Sequence, residues 1–292
     1  MENLLVLTDL SPAAENARRY AAQVAALLGA RVVLLHVHQT PVLTGDLVPG
    51  LGSALQYNRE QMAYALEGIA GNMIVPTVAE VVEGTFGPAL NTALARYRPR
   101  LVILGLSAAE NYVEAMLTNR ALPLLQYGNV PVLLVPASAV SSRIPRHVVL
   151  GIDGEAFAVA PPASELFQEL LNTWQAQLVL TCAATPDTSV SRTEALRTVQ
   201  HSGLLDSETK LTFQQPLAET PEAGLLRTAT QHEADLLVLV ARRRSFLGQL
   251  FHRSVTARVL RRVTQPVLLL PTTDAVVEKV TPAQVAVSAS IS

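Results

Sequence analysis

The chain says nearly the same thing twice, and that limits what it can fold into more than any other feature. Val130-Pro131-Val132-Leu133-Leu134-Val135-Pro136 returns as Gln265-Pro266-Val267-Leu268-Leu269-Leu270-Pro271. Upstream, at the same offset, Arg100-Leu101-Val102-Ile103-Leu104-Gly105 is answered by Asp235-Leu236-Leu237-Val238-Leu239-Val240. Solenoid units repeat every ~20–50 residues, well short of this period. The repeat fits two whole domains, each large enough for its own core. Residues 1–138 and 146–272 are the expected domains, with 137–146 as linker and 273–292 as a C-terminal tail.

Within each half, short apolar runs alternate with helical periodicity. In the first half the pattern predicts strands over 4–7, 32–37, 78–82, 101–104 and 131–135. Helices are expected from Pro12 to about Leu28 and over about 54–70, 88–97 and 119–127. Ser11-Pro12 is an N-cap followed by proline at the first helical position, and Gly29 suits the C′ position. The second half replays the order, with strands over 147–152, 178–182, 210–214, 236–240 and 267–270. Its helices are expected over 161–174, 192–200, 222–232 and 255–263. Strands apolar throughout and separated by amphipathic helices imply parallel sheets covered on both faces. The fold class is therefore α/β, with two tandem doubly wound, five-stranded, parallel-sheet domains.

Composition narrows function. Of 292 residues, 49% are hydrophobic and 16% charged, yet no apolar run reaches the ~18 residues of a membrane span. Met1-Glu2-Asn3 leads directly into a strand, so the cytoplasm is the expected compartment and no membrane partner is expected. A net charge of −2 gives no footprint for nucleic acid. With Cys182 as the single cysteine, no internal disulfide or cysteine-based metal cluster can form. His36 and His38 would share a strand face. Without a third ligand they read as strand-end polar residues, and no metal site is expected. Neither a Walker lysine motif nor a G-x-S-x-G elbow is present, and no nucleophile–base–acid set emerges.

In open α/β sheets, ligands sit beyond the carboxyl ends of the strands, where strand order reverses. Asp9 follows the first strand of one half and Asp153 that of the other. Here the chain resembles the universal stress protein family across both halves. The resemblance is carried by Val6-Leu7-Thr8-Asp9-Leu10-Ser11-Pro12-Ala13-Ala14-Glu15-Asn16-Ala17, by Leu34-Leu35-His36-Val37 and by the two Pro-Val-Leu-Leu endings. It implies a Rossmann-like fold of the adenine nucleotide alpha hydrolase type. It also implies, in many members, ATP held by the aspartate and by a G-x2-G-x9-G-[S/T] loop after the fourth strand. Glycines in such a loop let backbone N–H groups approach phosphate.

Carried over residue by residue, the loop is eroded. In the first half Gly105, Ala108, Thr118 and Asn119 stand at its fixed positions. In the second they are Val240, Arg243, Arg253 and Ser254. Val37 and Cys182 stand where the family lines the adenine. The candidate nucleotide-binding residues of the first domain are thus Thr8, Asp9, Val37, Gly105, Ser107 and Asn119. Those of the second-domain pocket are Asp153, Cys182, Arg243, Arg253 and Ser254. Two readings of the arginines stay open: guanidinium groups paired with Asp153 or Glu155 in an emptied pocket, or a site for a smaller anion. Asp9 likewise reads equally as a cap of the helix start or as a ligand contact.

The leading expectation is a non-catalytic stress-response protein of the universal stress type, with degenerate nucleotide-binding loops in both domains. The alternative is an ATP or nucleotide sensor using the first domain, with weak hydrolysis. No cofactor is implied beyond ATP in that domain. By resemblance, the last strands of the two domains are expected to pair within the chain, and a homodimer and unidentified protein partners fit the same picture.

Overall fold

The computed structural model describes residues 1–38, 51–107, 124, 129–139, 144–185, 189–242 and 254–273, without the side chains of 51–58. In the first half, strands β1 (Asn3–Leu7), β2 (Arg31–His38), β3 (Thr77–Glu83), β4 (Leu101–Leu106) and β5 (Val132–Pro136) alternate with helices. These are α1 (Pro12–Leu28), α2 (Leu51–Gly71) and α3 (Phe86–Tyr97). The second half carries β6 (His147–Gly151), β7 (Ala158–Val159), β8 (Gln177–Thr181), β9 (Leu211–Gln214), β10 (Leu236–Ala241) and β11 (Val267–Thr273). Its helices are α4 (Pro161–Trp174), α5 (Arg192–His201), α6 (Pro221–Gln231) and α7 (Val255–Leu260).

The strands run in the order β3-β2-β1-β4-β5-β11-β10-β6-β8-β9. Each half is a parallel five-stranded sheet, and strand order reverses at β1/β4 and at β10/β6. β5 and β11 pair antiparallel, Val267 opposite Leu134 and Leu269 opposite Val132, so the two sheets form one continuous sheet. Buried strand residues alternate between its faces. Leu4, Val6 and Leu34 belong to one core together with Val148 and Leu180 of the other half. Leu5, Leu7 and Leu35 belong to the second, with Val149 and Leu237. Each core thus spans both domains, and Arg100 of the first bonds Glu169 of α4 at 2.7 Å.

Local chemistry sets the element ends. Ser11 caps α1, its Oγ accepting from the Ala14 N–H at 3.2 Å, and Gly29 ends the helix at φ 61°. Two features depart from the sequence reading. β11 continues through Pro271 to Thr273 rather than stopping at 270, because Thr272 and Thr273 gain a partner strand in β7. β7 itself, two residues long, carries no periodic signal that a sequence reading could detect. The helix expected over 119–127 lies outside the described residues apart from Leu124.

Candidate functional site

Strand register gathers the candidates of the first domain. Leu7 pairs with Leu35 on one side and Leu104 on the other, so Thr8 and Asp9 follow β1 alongside His36, Val37 and the end of β4. The Thr8 carbonyl accepts from His36 Nδ1 at 2.9 Å, and the Thr8 Oγ1 accepts from the Leu10 N–H at 3.1 Å. Asp9 Oδ1 accepts from the Ser11 N–H at 3.0 Å, which closes the turn into α1 with Leu10 at φ 61°. Val37 is partly buried against the second core. Ser107 directly follows β4, while Ala108, Thr118 and Asn119 lie outside the described residues.

Gly105, the one glycine of the loop pattern in the first half, answers to a packing constraint. A Cβ there would lie 2.4 Å from the Ala13 carbonyl carbon, 2.5 Å from its oxygen and 2.6 Å from the Ala14 nitrogen. The first turn of α1 thus rests on the backbone of β4. Asn16 fixes the contact by donating to Pro136 O at 2.8 Å and Ala139 O at 2.9 Å.

The second domain is built differently at this point. Residues 8–11 connect β1 to α1, but residues 152–160 connect β6 to α4, and the longer connector holds β7. It forms a cage for Arg242, the first residue after β10. Arg242 Nε donates to Asp153 Oδ2 at 3.1 Å, and Nη2 to Asp153 Oδ1 and Glu155 O, both at 2.7 Å. Nη1 donates to Ala156 O at 2.8 Å and lies 3.8 Å from Glu155 Oε2. The guanidinium carbon sits 5.8 Å from the Phe157 ring centroid. The loop pattern had pointed to Arg243 and Arg253, both outside the described residues. Among the described residues, Arg242, next to Arg243 in the chain, engages Asp153.

Beside this pair opens a cleft of about 640 Å³. β6 contributes Gly151 and, just past it, Ile152 and Asp153; β10 contributes Leu239 and Val240 and, just past it, Arg242. Thr181 and Ala183 form another wall, with Leu225 of α6 and residues 254–256 at the start of α7. The Thr181 hydroxyl is 3.2 Å from that of Thr228. Ser254 is 8% exposed, and its Oγ is buried without a hydrogen-bond partner.

Register also corrects the match between Val37 and Cys182. Leu7 pairs with Leu35 and Gly151 with Thr181, so Val37 corresponds to Ala183 and Cys182 to His36. A slip of one residue turns a strand side chain to the opposite face. Accordingly Cys182 is packed in the first core, 2% exposed, while Thr181 and Ala183 line the cleft. Burial, then the carboxylates of Asp153 and Glu194, push its thiol pKa up to about 11. Sequence reasoning missed Thr181, Phe157 and the role of Arg242. The available signal was the longer connector between Asp153 and Pro161. Among the described residues, no group of three or more His, Cys, Asp or Glu side chains could hold a metal, and no helix could cross a membrane.

A doubly wound sheet with a strand-order reversal is the α/β framework in which ligands bind beyond the strand ends; it is present here in tandem, with a cleft at the reversal of the second half. The profile of the Universal stress protein family matches residues 1–136 and again 145–271, and the chain belongs to that family. None of the curated proteins matches the chain. Among solved structures it is similar to a universal stress protein from Archaeoglobus fulgidus DSM 4304. The TM-score is 0.68 at 15% identity, over 93% of this chain and 97% of the other. A functionally unknown protein from Pseudomonas aeruginosa PAO1 superposes with a TM-score of 0.53 at 18% identity, over 93% of both chains. These likenesses show the shared fold.

Proposed function

We propose that this chain is a non-catalytic stress-response protein of the universal stress type, in which neither domain is a working nucleoside triphosphate site. The observation that carries the reading is the Arg242–Asp153 pair. The family's aspartate is occupied by a side chain of the same chain, at the point where the phosphate loop would begin. In the first domain, Asp9 accepts the N–H of a turn, and Gly105 makes room for α1. Both residues that recommend a nucleotide there have a local structural cause. Titration of the full chain with Mg-ATP, followed by calorimetry and phosphate release, tests this. Neither binding below millimolar concentration nor turnover is expected. Stoichiometric ATP binding with protection around Asp9 and Ser107 would favour the first-domain sensor instead.

A further inference from the structure

Arg18 of α1 directs its guanidinium at two unlike partners. Nε donates to Glu15 Oε2 at 2.9 Å and Nη2 to Glu15 Oε1 at 2.5 Å, a bidentate pair that fixes the plane of the group. Nη1 points elsewhere and donates to Met73 Sδ at 2.8 Å. Met73 lies in the connector between α2 and β3, partly buried against the first core, with exposed Asn72 and Ile74 on either side. A thioether is a weak acceptor, so a charged and already oriented N–H ends on a partner that returns little. One added oxygen changes that. Sulfoxide formation ordinarily harms a fold because it turns an apolar side chain polar. Here the new oxygen would meet a donor already held at the sulfur, and the three rotatable bonds of the methionine stem let it swing into line.

We propose that Met73 is a reversible oxidation site, with Arg18 as the group that receives the sulfoxide oxygen. The oxidant is a hydroperoxide, of which hydrogen peroxide is the simplest. A sulfur lone pair attacks one peroxide oxygen, and the S–O bond forms as the O–O bond breaks. The departing hydroxide takes the proton of the transferred hydroxyl and leaves as water. Sulfur is oxidised by two electrons and the peroxide is reduced; methionine sulfoxide reductases reverse the change. The consequence is mechanical. A weak N–H···S contact becomes a charge-assisted hydrogen bond that ties α1 to the connector into β3, the outermost strand of the first half. None of this depends on whether either domain holds a nucleotide.

Treating the full chain with hydrogen peroxide, then digesting it for mass spectrometry, gives the sulfoxide fraction at each methionine. Met1, 80% exposed, is the internal reference for a thioether in open solvent. Met73 sulfoxide should be mainly one epimer, cleared by one of the two epimer-specific reductases, because a single fixed donor selects one configuration; Met1 should give both. Melting of the oxidised chain beside Met73→Leu treated identically isolates the effect of this one sulfoxide. With Arg18 in place, oxidation should leave the melting temperature unchanged or raised. In Arg18→Gln it should lower it by about 3–12 °C, the range set by one charged hydrogen bond in a chain of this length. Hydrogen exchange at 70–76 should slow when the wild-type chain is oxidised. No sulfoxide at Met73 under peroxide that saturates Met1, equal epimers there, a melting drop with Arg18 present, or the same response in Arg18→Gln would each overturn the proposal. Epimer ratio and wild-type melting decide the matter even if Arg18→Gln does not fold.

Discussion

Replacing Gly105 with alanine separates two reasons for a glycine to stand at the end of β4. If it is there only for phosphate, the fold should hardly notice a methyl group. The structure says otherwise, because the new Cβ would lie 2.4 Å from the Ala13 carbonyl carbon. Ordinary carbon contacts lie at about 3.5–4.0 Å, so α1 would have to retreat by roughly 1 Å. The obstacles are backbone atoms, which no rotamer change can clear, placing the cost near the top of the overpacking range of about 1–3 kcal/mol. A retreat of α1 also stretches the two Asn16 bonds to Pro136 and Ala139, each worth about 1 kcal/mol. The expected total is about 3–5 kcal/mol. At about 2–4 °C per kcal/mol for a chain of this class, melting should fall by roughly 6–20 °C. Gly151→Ala is the matched control. Its Cβ would meet Leu225 Cδ1 at 2.8 Å, the tip of a flexible side chain that can turn into the adjoining cleft. That variant should lose under about 1 kcal/mol. Urea denaturation followed by circular dichroism measures both. Equal losses, or a Gly105→Ala loss below about 1 kcal/mol, would refute the packing argument and return Gly105 to the ligand reading.

Other consequences are smaller. Ser11→Ala removes the side-chain cap of α1 and should cost about 1 kcal/mol by thermal melting. Arg242→Met should cost about 1–2 kcal/mol by urea titration, because Asp153 is half exposed and can rehydrate while two carbonyl acceptors lose their donor. Cys182 should resist iodoacetamide at pH 8 in the folded chain and react promptly in urea, since the thiolate is the nucleophile and this thiol is both buried and shifted upward. The fold binds that proton more tightly than the unfolded chain does. The associated stability is therefore complete below the ordinary value of 9.0 and is lost as pH rises through about 11. Melting that improves across that interval would contradict the assignment.

The sheet was legible because its strands are apolar on both faces and the helices between them keep a different period. Leu101 to Leu104 reads as a strand in isolation, its register could follow only from pairing, and β4 runs on to Leu106. The site was less legible, for reasons that individual residues make plain. Counting along a loop pattern selects Arg243, which lies outside the described residues, and passes over Arg242, which follows β10 directly and turns onto Asp153. Matching Cys182 with Val37 missed by one residue, enough to exchange a core side chain for a cleft side chain. Ser254 was chosen as the surviving hydroxyl of a phosphate loop. In the structure it is a buried hydroxyl without a partner, a fact of environment that sequence does not carry.

The antiparallel junction of β5 and β11 constrains how the two domains can act together. Sites of this fold lie beyond the carboxyl ends of their strands. Because β11 runs opposite to β5, the strands of one domain point opposite to those of the other. Asp9 and Asp153 therefore face opposite edges of one sheet, and no small ligand can span them. Any coupling must cross β1, β4, β5, β11, β10 and β6, strands whose side chains are almost wholly buried in cores common to both domains. Such a sheet resists graded deformation, since close-packed interiors transmit strain rather than absorb it. The connector at each reversal is then free to diverge locally while the shared core holds the architecture fixed. The short connector that sets α1 on Gly105 and the longer one that cages Arg242 are two outcomes of that freedom.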